Sequence, residues 1–227
     1  MRITLPSGTA AELARPSDGT PGQGLVLLPD IGGLRPLFDD HCQRLADDND
    51  WVVCAPEPWP GRESLTLDER LDSVGTLDDD AVLADATAAA DACGIEPVGV
   101  MGFCMGGMYT LKAAGTGRFH RAVAFYGMIR VPDRWRGPGQ GEPLEHLARE
   151  ARCPTLAIVG TDDVWTPPDD VDALEAAGVT VVRYRGAEHG FAHDPDRPAH
   201  RPDDAADAWA RAVEFLSERD AAAARGR

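Results

Sequence analysis

Short, mostly apolar runs alternate along this chain with longer stretches in which apolar residues recur every three or four positions. The runs at 24–28, 51–55, 97–101, 121–125, 155–160 and 180–184 predict mainly buried parallel strands. The helical periodicity between most of them predicts helices over 37–48, 79–93, 105–114, 169–177 and 203–219. Strand and helix in turn give an α/β class, a doubly wound, mainly parallel sheet with helices on both faces and right-handed crossovers. Residues 2–5 and 9–14, joined by Pro6-Ser7-Gly8, predict an N-terminal β-hairpin at one sheet edge. Two stretches, 57–77 and 127–142, escape the alternation. Each carries a tryptophan and two prolines, and long irregular loops in a compact domain are often functional. The first is expected to line a pocket mouth, the second to be a surface excursion or a dimer contact. The whole of 1–227 reads as one domain, with 220–227 as a fraying tail.

One strand-to-helix junction carries chemistry. Val98-Gly99-Val100-Met101 runs into Gly102-Phe103-Cys104-Met105-Gly106-Gly107, which places a thiol at a sharp turn between small residues. The spacing Gly-x-Cys-x-Gly is that of a nucleophile elbow with sulfur in place of a serine oxygen. A helix N-terminus beside such a thiol offers amides to an oxyanion and favours the thiolate, which is the nucleophilic form. The structural alternative is a buried cysteine at a tight strand–helix crossing. An acid and a histidine follow in the order that an elbow enzyme requires. Gly160-Thr161-Asp162-Asp163 ends the apolar run at 155–159, and Gly186-Ala187-Glu188-His189-Gly190-Phe191 follows the run at 180–184. Side chains at the C-terminal ends of neighbouring parallel strands share one rim.

Gly102-Phe103-Cys104-Met105-Gly106-Gly107, Gly160-x-x-Asp163-x-x-x-Pro167 and Gly186-Ala187-Glu188-His189-Gly190-Phe191 resemble the three signature segments of the dienelactone hydrolase family, with Phe125-Tyr126-Gly127 and Ala55-Pro56-Glu57 as secondary landmarks. The likeness runs from about Gly24 to Leu216. It implies an α/β-hydrolase fold and a hydrolase that cleaves a carboxylic ester or lactone through a thioester acyl-enzyme. Cys104 would be the nucleophile, His189 the base and Asp163 the residue orienting the imidazole, with Asp162 as the rival for that last role. The oxyanion would be held by the amides of Met105 and of Ile31, in the loop after the first parallel strand.

In the family a glutamate that contacts the resting thiol usually stands where this chain has Asp30, one methylene shorter; the alternative is that Asp30 caps a loop before the helix. The family's carboxylate-gripping arginine, four residues after the histidine, is replaced by His193, which lacks the bidentate fork of arginine. Arg62 and Arg70 are other candidates for the mouth, Trp59 for an apolar wall, and Trp165 and Phe191 for the pocket lining. A thioesterase variant of the same chemistry, or a catalytically dormant binding protein on this fold, are the alternative functions.

Charge and cysteine use narrow the partners. A formal net charge of −16 opposes nucleic acid and anionic membranes, both of which rely on lysine and arginine to neutralise phosphate; the partner that the resemblance implies is a small-molecule ester or lactone. Nearly every basic residue is arginine; Lys112 is the sole lysine. Five scattered cysteines make no Cys-x-x-Cys pair and predict reduced thiols in a cytoplasmic protein. No metal spacing joins the histidines, and the reading calls for no metal and no cofactor. The N-terminus lacks a signal-peptide core, and no stretch has the length of a membrane span. A monomer or a homodimer is expected.

Overall fold

A computed structural model describes residues 1–218. Eight strands form one sheet in the order β1-β2-β4-β3-β5-β6-β7-β8. They are β1 (Arg2–Thr4), β2 (Ala10–Ala14), β3 (Gln23–Leu28), β4 (Trp51–Pro56), β5 (Val98–Phe103), β6 (Ala122–Phe125), β7 (Thr155–Gly160) and β8 (Thr180–Tyr184). β1 and β2 pair antiparallel and join β4 as an edge hairpin, and β3 to β8 are parallel. Every residue of β3, β4, β5, β6 and β7 is buried, which is why these segments read as unbroken apolar runs rather than alternating ones.

The helices are α1 (Pro36–Asn49), α2 (Leu67–Ser73), α3 (Asp79–Cys93), α4 (Met105–Ala113), α5 (Pro143–Leu147), α6 (Pro168–Ala176) and α7 (Pro202–Ser217). The chain moves from β3 to β4 in one direction along the sheet and from β4 through β5 to β8 in the other. Right-handed crossovers therefore put α1 on the face opposite α3, α4 and α6. The reversal makes a switch point between the C-terminal ends of β3 and β5, the place where an open α/β sheet leaves a crevice. Phe103 anchors the core directly beneath it, 4.7 Å from the Phe125 ring, 5.0 Å from His193 and 5.2 Å from Trp209 of α7.

The two irregular stretches differ from their sequence reading. The first contains α2, whose start is set by a capping box: Thr66 takes the amide of Glu69 and the Glu69 carboxylate takes the amide of Thr66. The second is no free excursion. It folds back on the first, with Gln140 Nε2 donating to the Val74 carbonyl at 2.8 Å and Arg134 paired with Asp72. Trp135 is 1% exposed and its ring stacks on Trp165 at 5.6 Å, so the segment forms part of the rim beside the crevice. The strand expected at 97–101 runs instead to Phe103, because Val98–Phe103 follows the register of β3 on one side and β6 on the other. The helix expected over 203–219 ends at Ser217. Its predicted last residue and the tail at 220–227 lie outside the described residues.

Candidate active site

The register of the parallel strands aligns Leu28 with Gly102, Phe103 with Phe125, Phe125 with Ile158, and Gly160 with Tyr184. The loops that follow these residues therefore open on one rim. Cys104 follows Phe103 with φ 56° and ψ −118°, a strained conformation for a residue with a side chain. The amide of Cys104 is held by the Phe125 carbonyl at 3.1 Å, and its carbonyl accepts the first helical bond of α4, from Met108, at 2.9 Å. Only glycine permits this turn. A Cβ on Gly106 would lie 2.2 Å from the Leu28 carbonyl oxygen, and one on Gly102 would lie 2.4 Å from the Gly106 carbonyl oxygen.

The acid and the histidine arrive from β7 and β8. The loops are tied together by the amides of Thr161 and Asp162, which donate to the carbonyls of Tyr184 and Ala187. Asp163 is buried, and its two carboxylate oxygens are divided between the Trp165 amide at 2.8 Å and His189 Nδ1 at 2.8 Å. Asp162 points outward, exposed, and takes the Thr161 hydroxyl. The His189 side chain, 14% exposed, is hydrogen-bonded to Asp163 and lies close enough to Cys104 to feel its charge. Burial pushes its pKa down, but the charge of Cys104 and the bond from Asp163 outweigh this and raise it to about 10. The imidazole so placed holds a proton at neutral pH beside a sulfur. The other four thiols are buried away from the rim. Burial raises Cys54 to about 12, Cys93 and Cys153 to about 11, and Cys42 higher still, so none of these has thiolate character at neutral pH.

The loop after β3 lies across the switch point. The carbonyl of Ile31 accepts Trp59 Nε1 at 2.8 Å and Arg70 Nη1 at 3.2 Å. Trp59 is fully buried, so it supports this loop from behind rather than standing as an exposed wall. Arg70, also buried, donates to the carbonyls of Leu65, Ile31 and Glu63. Met105 opens α4, and its amide is among the first N–H groups of a helix, which have no acceptor within the helix.

The Asp30 carboxylate is engaged by Arg35 at 2.6 and 2.9 Å, by the Gly32 amide at 2.8 Å and by His193 Nε2 at 2.8 Å. His193 is 1% exposed with its other nitrogen on the Tyr126 hydroxyl, and burial lowers its pKa. It is therefore a neutral, fully bonded ring rather than a free cation. Arg62 lies over the Trp59 ring at 5.2 Å and donates to Thr76. Trp165 stands half-buried with its ring 6.3 Å from His189. Phe191 is fully buried between Tyr126 at 5.7 Å and Tyr184 at 5.1 Å.

Three further residues stand at the rim, and of these the sequence marked only Tyr126, as part of a landmark segment. Tyr126, at φ 37°, puts its ring 5.2 Å from His189 and its hydroxyl on His193; only its place after a strand marked it. Trp135 arrives through the folded-back segment. Arg197 lies with its guanidinium carbon 2.8 Å from where a Cβ on Gly190 would stand, next to His189, and it has no side-chain hydrogen bond or ion pair among the described residues.

The profile of the Dienelactone hydrolase family matches residues 9–219. The chain belongs to the dienelactone hydrolase family. A probable 2-oxo-3-(5-oxofuran-2-ylidene)propanoate lactonase of Bradyrhizobium sp. is 31% identical over 225 residues, which cover 91% of this chain and 88% of that protein. The carboxymethylenebutenolidase of Rhodococcus opacus is 29% identical over 220 residues, covering 88% and 82%. Among solved structures, a putative dienelactone hydrolase from Klebsiella pneumoniae subsp. pneumoniae superposes with a TM-score of 0.84 at 25% identity, covering 96% of this chain and 98% of that one. Membership of the dienelactone hydrolase family makes this chain an ester or lactone hydrolase with the α/β-hydrolase fold. No helix among the described residues is long and apolar enough to cross a membrane.

Proposed function

We propose that this dienelactone hydrolase cleaves its ester or lactone through Cys104, His189 and Asp163, by way of a thioester. The observation that carries the reading is the strained elbow at Cys104, whose charge is felt by an imidazole that Asp163 holds at 2.8 Å. The Cys104 thiolate attacks the carbonyl carbon, and the oxygen, now an anion, is received by the amides of Ile31 and Met105. Protonated His189 gives its proton to the departing alkoxide as the carbon–oxygen bond breaks, leaving the acyl group on sulfur. A water molecule then attacks the thioester while His189 takes its proton, and the acid leaves as the sulfur regains its charge. Asp163 fixes the tautomer and orientation of the ring throughout.

Asp30 and His193 support the Ile31 loop and the rim rather than touching the substrate, and Trp165 supplies the wall beside His189. Five buried cysteines without a disulfide fit a reducing compartment, the cytoplasm. The experiment is hydrolysis of p-nitrophenyl acetate by the parent and by Cys104→Ala, with mass spectrometry of the acid-quenched parent. The reading expects turnover in the parent alone and an acetyl adduct on Cys104. Equal rates in the two proteins, or turnover with no adduct at that residue, would overturn it.

A further inference from the structure

Behind the elbow lies a cavity of about 240 Å³ that the proposed chemistry does not use. Met105 and Tyr109 of α4 form its floor, Pro29 and Pro58 one wall, and Leu77 and Val82 the other. None of Cys104, His189 and Asp163 lines it. The seam between the two spaces is the contact of Gly106 with the carbonyls of Leu28 and Pro29.

Most polar groups at its border already have partners, Asp85 taking the hydroxyls of Ser7 and Thr9 and Asp78 the amide of Asp80. The Tyr109 hydroxyl accepts from Gln140, Arg62 donates to Thr76, and the Glu57 carboxylate accepts the amides of Leu34 and Trp59. An occupant finds little there to pair with a charge or a strong hydrogen-bonding group, and burying either unpaired is costly. Its size is bounded too. An apolar cavity of about 150 Å³ holds benzene, so this one takes a substituted ring or an alkyl group of similar bulk, and is too small for a helix or a peptide segment. Ala81, exposed on α3, marks an entrance.

We infer that this cavity binds an uncharged apolar group of about the size of a substituted benzene ring, and that its occupancy is felt at Cys104 through Met105. Met105 belongs to both spaces: it lines the cavity while its amide immediately follows the nucleophile. Pro29 stands two residues before Ile31 in the same way. The group is either the apolar part of the substrate itself or a separate small molecule. The coupling to Cys104 rests on the hydrolase reading above; the binding does not.

Toluene is the probe, followed by ligand-observed NMR with the parent, Cys104→Ala, and two filling variants, Ala81→Trp and Val82→Phe, checked for folding by circular dichroism. Parent and Cys104→Ala bind toluene alike, and at least one folded filling variant binds about tenfold more weakly. No binding to the parent, or undiminished binding in both folded filling variants, overturns the site, and neither result depends on turnover. Kinetics with p-nitrophenyl acetate and p-nitrophenyl benzoate then separate the sources. If the group belongs to the substrate, filling lowers kcat/KM for the benzoate about tenfold with the acetate within about twofold. If it is a separate molecule, toluene changes the rates of both esters alike and filling abolishes that response. Binding without effect on either ester overturns the link through Met105.

Discussion

Asp30 and His193, 163 residues apart in the chain, meet at 2.8 Å between Oδ2 and Nε2. Because the Tyr126 hydroxyl sits on Nδ1, the ring carries its hydrogen on Nε2 and accepts from the tyrosine. Burial pushes the Asp30 carboxyl upward, but the bonds from His193 and Arg35 prevail and hold it well below the usual 3.8. A carboxyl with a depressed pKa stabilises the fold above its unfolded value and loses that contribution as pH falls through the folded one. Asp30→Asn is therefore expected to cost about 2 kcal/mol at neutral pH and to flatten the fall of stability below about pH 4. Urea unfolding at stepped pH checks this. Parallel parent and variant curves on the acid side would remove the pair from the account.

His189 titrates in the opposite sense. Its pKa is raised from 6.5 to about 10, so the imidazolium that the proposed mechanism uses to protonate a leaving alkoxide persists through neutral pH and is lost as pH rises through about 10. Asp163 supplies part of that increase. In Asp163→Asn the alkaline limb of acylation should move toward neutrality and kcat should fall roughly 10²–10⁴-fold. The pH profile of single-turnover acetylation reads both. A reduced rate with the limb unmoved would mean that Asp163 only supports the loop.

The central strands were legible because burial on both faces leaves continuous apolar runs, and the Cys104 and Asp163 segments stood out because each follows such a run; β8, before His189, is a partly exposed edge strand that carries Arg183. What stayed hidden depends on contacts between distant segments. Nothing about Trp135 foretells its stacking on Trp165, which follows only once 127–142 folds back onto 57–77. The helix Leu67–Ser73 did have a local signal, the Thr66-x-x-Glu69 box, masked by the prolines and glycine before it. His193 shows the limit most plainly. Its spacing from His189 is that of the family's carboxylate-gripping arginine, but the chain cannot reveal that Asp30 and Tyr126 occupy both of its nitrogens.

Arg197 offers the free charge that His193 lacks. Its guanidinium rests against Gly190, the residue after His189, half-buried and without a side-chain ionic or hydrogen-bonded partner among the described residues, so water screens it less than an exposed cation. An ester with an anionic tail is expected to find it. In Arg197→Ala, kcat/KM for p-nitrophenyl hemisuccinate should drop about tenfold, with p-nitrophenyl acetate within about twofold. Equal losses for both esters would assign the arginine to loop packing.

Lys112, the sole lysine of the chain, is fully buried with its ammonium 2.7 and 2.9 Å from the Asp79 carboxylate. Burial lowers its pKa against the pull of Asp79. The same carboxylate takes the Gly141 amide at 2.8 Å, and the Asp79 amide donates to the Gly139 carbonyl at 2.9 Å, so this pair clamps the end of the segment that carries Trp135 to the rim. Removing one partner of a buried pair leaves the other charge uncompensated, which costs about 3–5 kcal/mol. Lys112→Met should lose about that much in urea unfolding. Trypsin should then cut first at Arg134 or Arg136, under conditions where the parent stays intact. If the variant is destabilised but the earliest cuts fall elsewhere, the ion pair stabilises the core without holding the segment.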